Sequence, residues 1–109
     1  MTKKQIEKVA QQNGIDLSLV HIFKFCGTMH IEMADLHDDL AKKNIAYYDE
    51  THNQLPEVEK MIKKYNREAK KLMKVLNVKW WAFKTGDGAW DYRLGDMSES
   101  TKMAFNNID

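Results

Sequence analysis

The sequence "LVHIFKFCGTMHIEM", residues 19–33, decides the fold because it fits two different patterns of secondary structure. The spacing of its apolar side chains predicts one long helix over residues 16–44. A break at Gly27 stays open, since glycine costs a helix interior about 1 kcal/mol relative to alanine. The alternative is a strand over residues 18–25, where β-branched and aromatic residues are concentrated. The residues after Thr28 are expected to be helical in either case. The helix is favoured by a series of apolar residues in alternating steps of four and three: Ile15, Leu19, Ile22, Cys26, Met29, Met33, Leu36 and Leu40.

A second long helix is predicted over residues 56–76. Pro56 suits the first turn of a helix, because its missing N–H would have no partner there. Asn77 follows the last apolar position and is a suitable stop. The apolar residues again recur in steps of three and four, at Leu55, Val58, Ile62, Tyr65, Ala69, Leu72 and Leu76.

Shorter elements are expected at both ends of the chain. Thr2 and Gln5 have the spacing of a capping box, which predicts a helix over residues 3–12. Two aromatic-rich runs flank a Gly-containing loop, and this arrangement predicts a β-hairpin over residues 78–94. A last short helix is expected over residues 98–106.

The expected fold is therefore an α-rich (α+β) single domain over residues 1–109. Two long helices would pack antiparallel, with short N- and C-terminal helices and a C-terminal β-hairpin. A chain of 109 residues is long enough for one hydrophobic core but not for two.

Composition favours a folded cytoplasmic protein that does not enter a membrane. The chain is 43% hydrophobic and 30% charged, which is typical of globular domains. Its longest apolar-rich run has about nine residues, whereas a membrane span needs about 20. Its first eight residues contain no apolar segment, so we expect no secretory signal. The single cysteine, Cys26, cannot form an internal disulfide, which fits a reducing compartment.

The net charge of +1 conceals a strong segregation of charge. Residues 29–57 carry a net charge of −5, and residues 58–84 carry +7. On the predicted helix over residues 56–76, seven cations fall within about 120° of arc, opposite the apolar stripe. This face is interpreted as a solvated surface, as a partner for acidic groups of the same chain, or as a binding surface for nucleic acid or an acidic protein.

The sequence contains no recognisable catalytic motif, and we expect neither a catalytic residue nor a cofactor. Glu32, Asp35 and His37 are the candidates for a metal site, because carboxylates and imidazole are common metal ligands. They would support a metal-dependent hydrolase, which is the second alternative among the functions considered.

The first hypothesis is a small non-enzymatic protein that binds another protein, as an inhibitor, adaptor or regulator of the phage or immunity type. The first alternative is a nucleic-acid-binding protein that uses the basic face of residues 60–74. A homodimer is a further expectation, since acidic and basic surfaces of one chain can complement each other across a two-fold axis. The candidate partner-binding residues are Lys60, Lys63, Lys64, Arg67, Lys70, Lys71, Lys74, Trp80 and Trp81.

Overall fold

The computed structural model describes residues 1–85 and 88–96 of the chain. Within these ranges it contains three α-helices and a four-stranded antiparallel sheet, and a short 3-10 turn precedes the first strand. The elements in chain order are α1 (Lys3–Gln12), β1 (Val20–Phe25), β2 (Thr28–Met33), α2 (His37–Lys42), α3 (Pro56–Leu76), β3 (Trp80–Lys84) and β4 (Trp90–Leu94).

The predicted long helix over residues 16–44 is wrong. Residues 20–33 form a β-hairpin instead, and the short α2 is the only α-helix within residues 16–44. Cys26 and Gly27 form the two-residue turn of this hairpin, with φ of 50° and 78°. Positive φ at both positions is the requirement of a type I′ turn, whose twist matches that of the paired strands. The strand alternative for residues 18–25 includes β1, but the helix expected after Thr28 in either case is wrong, because residues 28–33 form β2.

The fold class therefore also differs from the expected one, because one long helix and a sheet replace the pair of long helices. The strand order is β1-β2-β4-β3. The last two strands pair as a hairpin, but β4 also pairs with β2, so the hairpin forms half of the sheet. One row of paired residues crosses all four strands, from Ile22 through Ile31 and Tyr92 to Ala82.

The main hydrophobic core lies between this row and two helices. Ile31 from the sheet, Ile6 from α1 and Leu72 from α3 are each fully buried in one cluster. Burial of a side chain of this size contributes about 1.5–3 kcal/mol. A second cluster joins α2 to the first half of α3 and includes Leu40 and Val58. The core thus fixes α3 on one face of the sheet.

The ends of α1 and α3 coincide with the predicted bounds because local signals define them. Thr2 and Gln5 form the capping box that the sequence indicates. Pro56 begins α3, and Asn77 ends it in the left-handed conformation with φ of 52°. The helix predicted over residues 98–106 lies outside the described residues. In the part of the chain that the structure describes, no helix combines the length and apolar character needed to cross a membrane.

Candidate functional site

The long helix α3 exposes every cation that the sequence analysis selected on it. Its buried side chains face the sheet and α2, and the positive side chains lie on the solvent side. We call this set the basic ridge, and it consists of Lys60, Lys63, Lys64, Arg67, Lys70, Lys71 and Lys74.

One cation of the basic ridge is paired within the described residues. The Lys71 Nζ lies 3.0 Å from the Glu68 Oε2, and the Asp16 amide also donates to the Glu68 carboxylate at 3.2 Å. Burial alone would raise the pKa of Glu68, but these hydrogen bonds outweigh it and the pKa is lowered. The other six cations of the basic ridge form no ion pair with residues 1–85 or 88–96, so their charge faces solvent.

A cleft lies beside the basic ridge, where α3 passes the strands β3 and β4. We call it the α3 cleft; its volume is about 400 Å³. Ala82 leaves room at its floor, because its side chain is only a methyl group between the larger Trp80 and Lys84 on the same face of β3. The lining residues are Asn66, Arg67, Lys70, Trp80, Ala82, Trp90 and Tyr92.

Two tryptophans of the α3 cleft are accessible to solvent. Trp80 is 41% exposed and Trp90 is 36% exposed, although both residues belong to the sheet. Trp90 on β4 pairs with Lys84 on β3. Lys84 lies four residues after Trp80, so Trp90 is displaced from Trp80 by four residues along the direction of the strands. At the usual rise per residue, the two indoles are separated by about 13 Å along the strand direction. Trp80 also contacts the ring of Tyr92 edge to face, with 5.5 Å between the ring centroids.

Asn66 connects α3 to the start of β4 and so fixes one end of the α3 cleft. Its side-chain amide donates to the Gly88 carbonyl at 2.9 Å. Its side-chain oxygen accepts a hydrogen bond from the Trp90 backbone N–H at 3.2 Å. The side chain therefore positions the backbone that carries Trp90 against the helix.

At each end the α3 cleft adjoins a further depression, and positive residues line both of these depressions. One adjoining depression is lined by Lys63, Lys84 and Trp90, and the other by Lys74, Lys79 and Trp80. We call the three depressions together the groove. Among the described residues that line it, Glu59 is the one carboxylate. The groove is therefore a positively charged channel with tryptophan side chains in its wall.

Trp81, another predicted binding residue, lies on the opposite face of the sheet from Trp80, because neighbouring strand residues point to opposite faces. The guanidinium carbon of Arg93 lies 4.9 Å from the Trp81 ring centroid and 4.8 Å from the Phe83 ring centroid. On the same face, Asp91 accepts a hydrogen bond from Arg93 and contacts the buried His30. The structure thus brings Trp80 to the basic ridge and places Trp81 elsewhere.

Trp90 completes the groove but is absent from the residues selected by sequence. The alternation of Trp90, Tyr92 and Leu94 with Asp91 and Arg93 is the signal that could have found it. That alternation places Trp90 on the face of Tyr92, which packs in the core beneath α3. Lys79 and Lys84 are likewise absent from that selection, although both lie next to the aromatic-rich runs in the sequence.

The residues proposed for a metal site do not come together as ligands. Glu32 lies next to His21, with 3.5 Å between the Oε1 and Nδ1 atoms. His37 lies 3.8 Å from the Asp35 carboxylate in a second, exposed pair. Both pairs line one cavity of about 790 Å³. Within residues 1–85 and 88–96, no three His, Cys, Asp or Glu side chains are grouped in a way that would hold a metal ion. Glu32, Asp35 and His37 thus share a cavity without forming a metal-binding group among the described residues, and the hydrolase stays a prediction from the sequence.

Comparison with known proteins gives no independent indication of function. No protein-family model matches the sequence, and searches of curated proteins and of solved structures give no match. The charge, shape and exposed side chains of the groove are therefore the observations that bear on function.

Proposed function

We propose that this protein binds nucleic acid through the basic ridge and the groove beside it. The observation that carries the proposal is the row of six exposed cations that form no ion pair with the described residues. A row of cations on one helix face complements a chain of phosphates, and binding of this kind releases the counterions of the nucleic acid.

The dimensions of the basic ridge suit an extended ligand. Lys60 and Lys74 are 14 residues apart on one helix, which corresponds to about 21 Å at the usual helical rise. The groove follows the same direction, with Lys63 and Lys84 near one end and Lys79 near the other. A single phosphate group would engage only a small part of this surface, whereas a polymer would engage most of it.

The composition of the basic ridge favours binding without sequence preference. Six of its seven cations are lysines, and Arg67 is the single arginine. Arginine reads guanine through two parallel hydrogen bonds, but the lysine ammonium acts toward phosphate as a point charge. We propose a cytoplasmic location as well, since the predicted reducing compartment contains single- and double-stranded nucleic acid.

An acidic protein is the second candidate partner, in line with the first hypothesis from the sequence. The observation in its favour is Phe25, which is 63% exposed at the β1–β2 turn. Exposed aromatic side chains often anchor protein interfaces. Phe25 belongs to the first hairpin and does not line the groove, so removing it distinguishes the two candidates. A Phe25→Ala variant should keep its nucleic-acid affinity.

The proposal is tested by neutralising part of the basic ridge. The test variant changes Lys63, Arg67 and Lys70 to glutamine; all three are exposed. The matched control makes the same change at the three exposed lysines of α1, Lys3, Lys4 and Lys8. Both variants lose three positive charges, so the net charge of the protein is the same in each.

Binding is measured by the fluorescence anisotropy of a labelled oligonucleotide at low salt. We expect the α3 variant to lose at least about tenfold in affinity, since three phosphate contacts are removed. The α1 control should keep its affinity within about threefold. Equal losses in the two variants would mean that only net charge matters, and this result would contradict the proposal. If the unchanged protein does not bind the oligonucleotide, the proposal is wrong and an acidic protein becomes the candidate partner.

A further inference from the structure

We propose that the α3 cleft binds unpaired nucleotides, with bases stacked on Trp80 and Trp90. The protein would then prefer single-stranded to double-stranded nucleic acid. This inference rests on the proposed function and goes beyond it, because the basic ridge alone would bind either form. The preference for unpaired bases comes from the aromatic side chains of the groove, whereas its cations would attract the phosphates of either form.

The two tryptophans have the exposure that stacking requires. Trp80 and Trp90 each present more than a third of their surface to solvent, on the same face of the sheet as the groove. Every nucleobase has a π-face, so stacking on an aromatic ring tolerates any sequence. In a duplex the bases stack on one another, and an indole on a protein surface cannot reach their faces. Accessible indoles in a positive groove therefore select unpaired bases.

The α3 cleft has an apolar side and a positively charged side, which suit the base and the phosphate of a nucleotide respectively. Ala82 and Tyr92 lie on the side of the sheet, between the tryptophans. Arg67 and Lys70 lie on the side of α3. A base that enters along the sheet would thus have its phosphates next to the cations. The volume of about 400 Å³ falls within the range of about 300–1,000 Å³ that is usual for small-molecule sites.

The tryptophans are held in place by contacts within the protein. Trp80 packs edge to face on Tyr92, which is only 4% exposed. The backbone of Trp90 is hydrogen-bonded to Asn66 on α3. A site whose aromatic side chains are already positioned loses less conformational entropy on binding. The spacing of about 13 Å along the strands leaves room for more than one nucleotide between the indoles.

The experiment compares three ligands of matched length at low salt, each with a fluorescent label. They are a thymidine oligonucleotide, an abasic strand with the same phosphates, and a duplex. We expect the thymidine strand to bind at least about tenfold more tightly than the abasic strand, because stacking on one aromatic ring is worth about five- to 150-fold in affinity and the groove has two such rings. The duplex should bind less tightly than the thymidine strand, because its bases cannot stack on the indoles.

Substitutions then assign this preference to residues. Trp80→Leu and Trp90→Leu should each weaken binding of the thymidine strand by about five- to 150-fold and leave binding of the abasic strand unaffected. Trp81→Leu is the matched control, since Trp81 lies on the opposite face of the sheet. Ala82→Leu keeps both tryptophans and fills the floor of the α3 cleft, so it should also reduce the preference.

The outcomes separate this inference from the proposed function. Equal affinity for the thymidine and abasic strands would overturn the stacking inference and leave nucleic-acid binding by the basic ridge intact. Absence of binding to all three ligands would overturn both. A loss of preference in Trp81→Leu equal to that in Trp80→Leu would also overturn the assignment to the α3 cleft. The comparison of ligands uses the unchanged protein, so it decides the question even if one variant fails to fold.

Discussion

Replacing Asn66 with alanine is expected to destabilise the protein, although alanine is the better helix former. Asn66 lies within α3 and makes two hydrogen bonds to the segment that begins β4. One joins its side-chain amide to the Gly88 carbonyl at 2.9 Å, and the other joins the Trp90 N–H to its side-chain oxygen at 3.2 Å. The substitution removes both bonds and leaves the backbone of the helix unchanged.

The size of the effect follows from two opposing contributions. Each hydrogen bond is worth about 0.5–1.5 kcal/mol, and the bond to Trp90 belongs at the lower end because it is exposed to water. Together they contribute about 1–2 kcal/mol. Alanine recovers about 0.5 kcal/mol through its higher helix propensity. The expected loss in the free energy of unfolding is therefore about 0.5–1.5 kcal/mol.

Urea denaturation followed by circular dichroism measures this difference. Lys60→Ala is the control, since Lys60 is exposed on the same helix and makes no described hydrogen bond; its effect should stay within about 0.5 kcal/mol. Asn66→Ala should also weaken binding of the thymidine strand, because Trp90 loses its connection to α3. A variant more stable than the unchanged protein would refute the reasoning, since helix propensity would then outweigh the two bonds.

Three further predictions concern the fold. Ile31→Ala should cost about 2–5 kcal/mol in urea denaturation, because Ile31 is fully buried in a central strand; a cost below about 1 kcal/mol would contradict its place in the core. Cys26→Asn should stabilise the protein by about 0.5–1 kcal/mol, because asparagine tolerates the positive φ of the β1–β2 turn better; a loss of stability would speak against this turn. Burial and the hydrogen bond that the Tyr65 hydroxyl donates to Asp39 raise the pKa of Tyr65 from 10.0 to about 12. The neutral phenol therefore stabilises the fold below pH 10, and this contribution is lost as the pH rises through about 12. Tyr65→Phe should abolish that part of the pH dependence, and an unchanged profile would contradict the assignment.

The helices α1 and α3 could be predicted from the sequence because their signals are local. A capping box, a proline in the first turn and a regular apolar spacing all act within a few residues of one another. The basic ridge follows directly from the same periodicity, since a helix that buries one face must expose the other. Their prediction does not depend on which distant segments of the chain contact each other.

The β1–β2 hairpin was missed because its evidence is partly non-local. Ile22 and Met29 are seven residues apart, which is also the distance of two helical turns, so local spacing alone could not separate the two structures. The actual partner of Ile22 is Ile31, across the turn. Cysteine at position 26 also conceals the turn, because type I′ turns are usually recognised by Asn-Gly. Burial against α1 and α3 then selects the strand pairing.

Only part of the groove could be predicted, because it also depends on the pairing of strands. The sequence "WWAF" does not alternate, so it does not show whether Trp80 or Trp81 faces the helix. The register of β3 against β4 decides this, because Ala82 pairs with the buried Tyr92. Trp80 then shares the face of Tyr92, and Trp81 shares that of Arg93.

The most direct test of nucleic-acid binding by the basic ridge is the salt dependence of affinity for a labelled single strand. Each phosphate contact contributes about −0.7 to the slope of log K against log salt, so three to six unpaired cations predict a slope between about −2 and −4. Affinity should then fall about 20- to 300-fold between about 50 mM and about 200 mM salt. Binding that does not change over this range, or no binding at the lower salt, would contradict the proposed function.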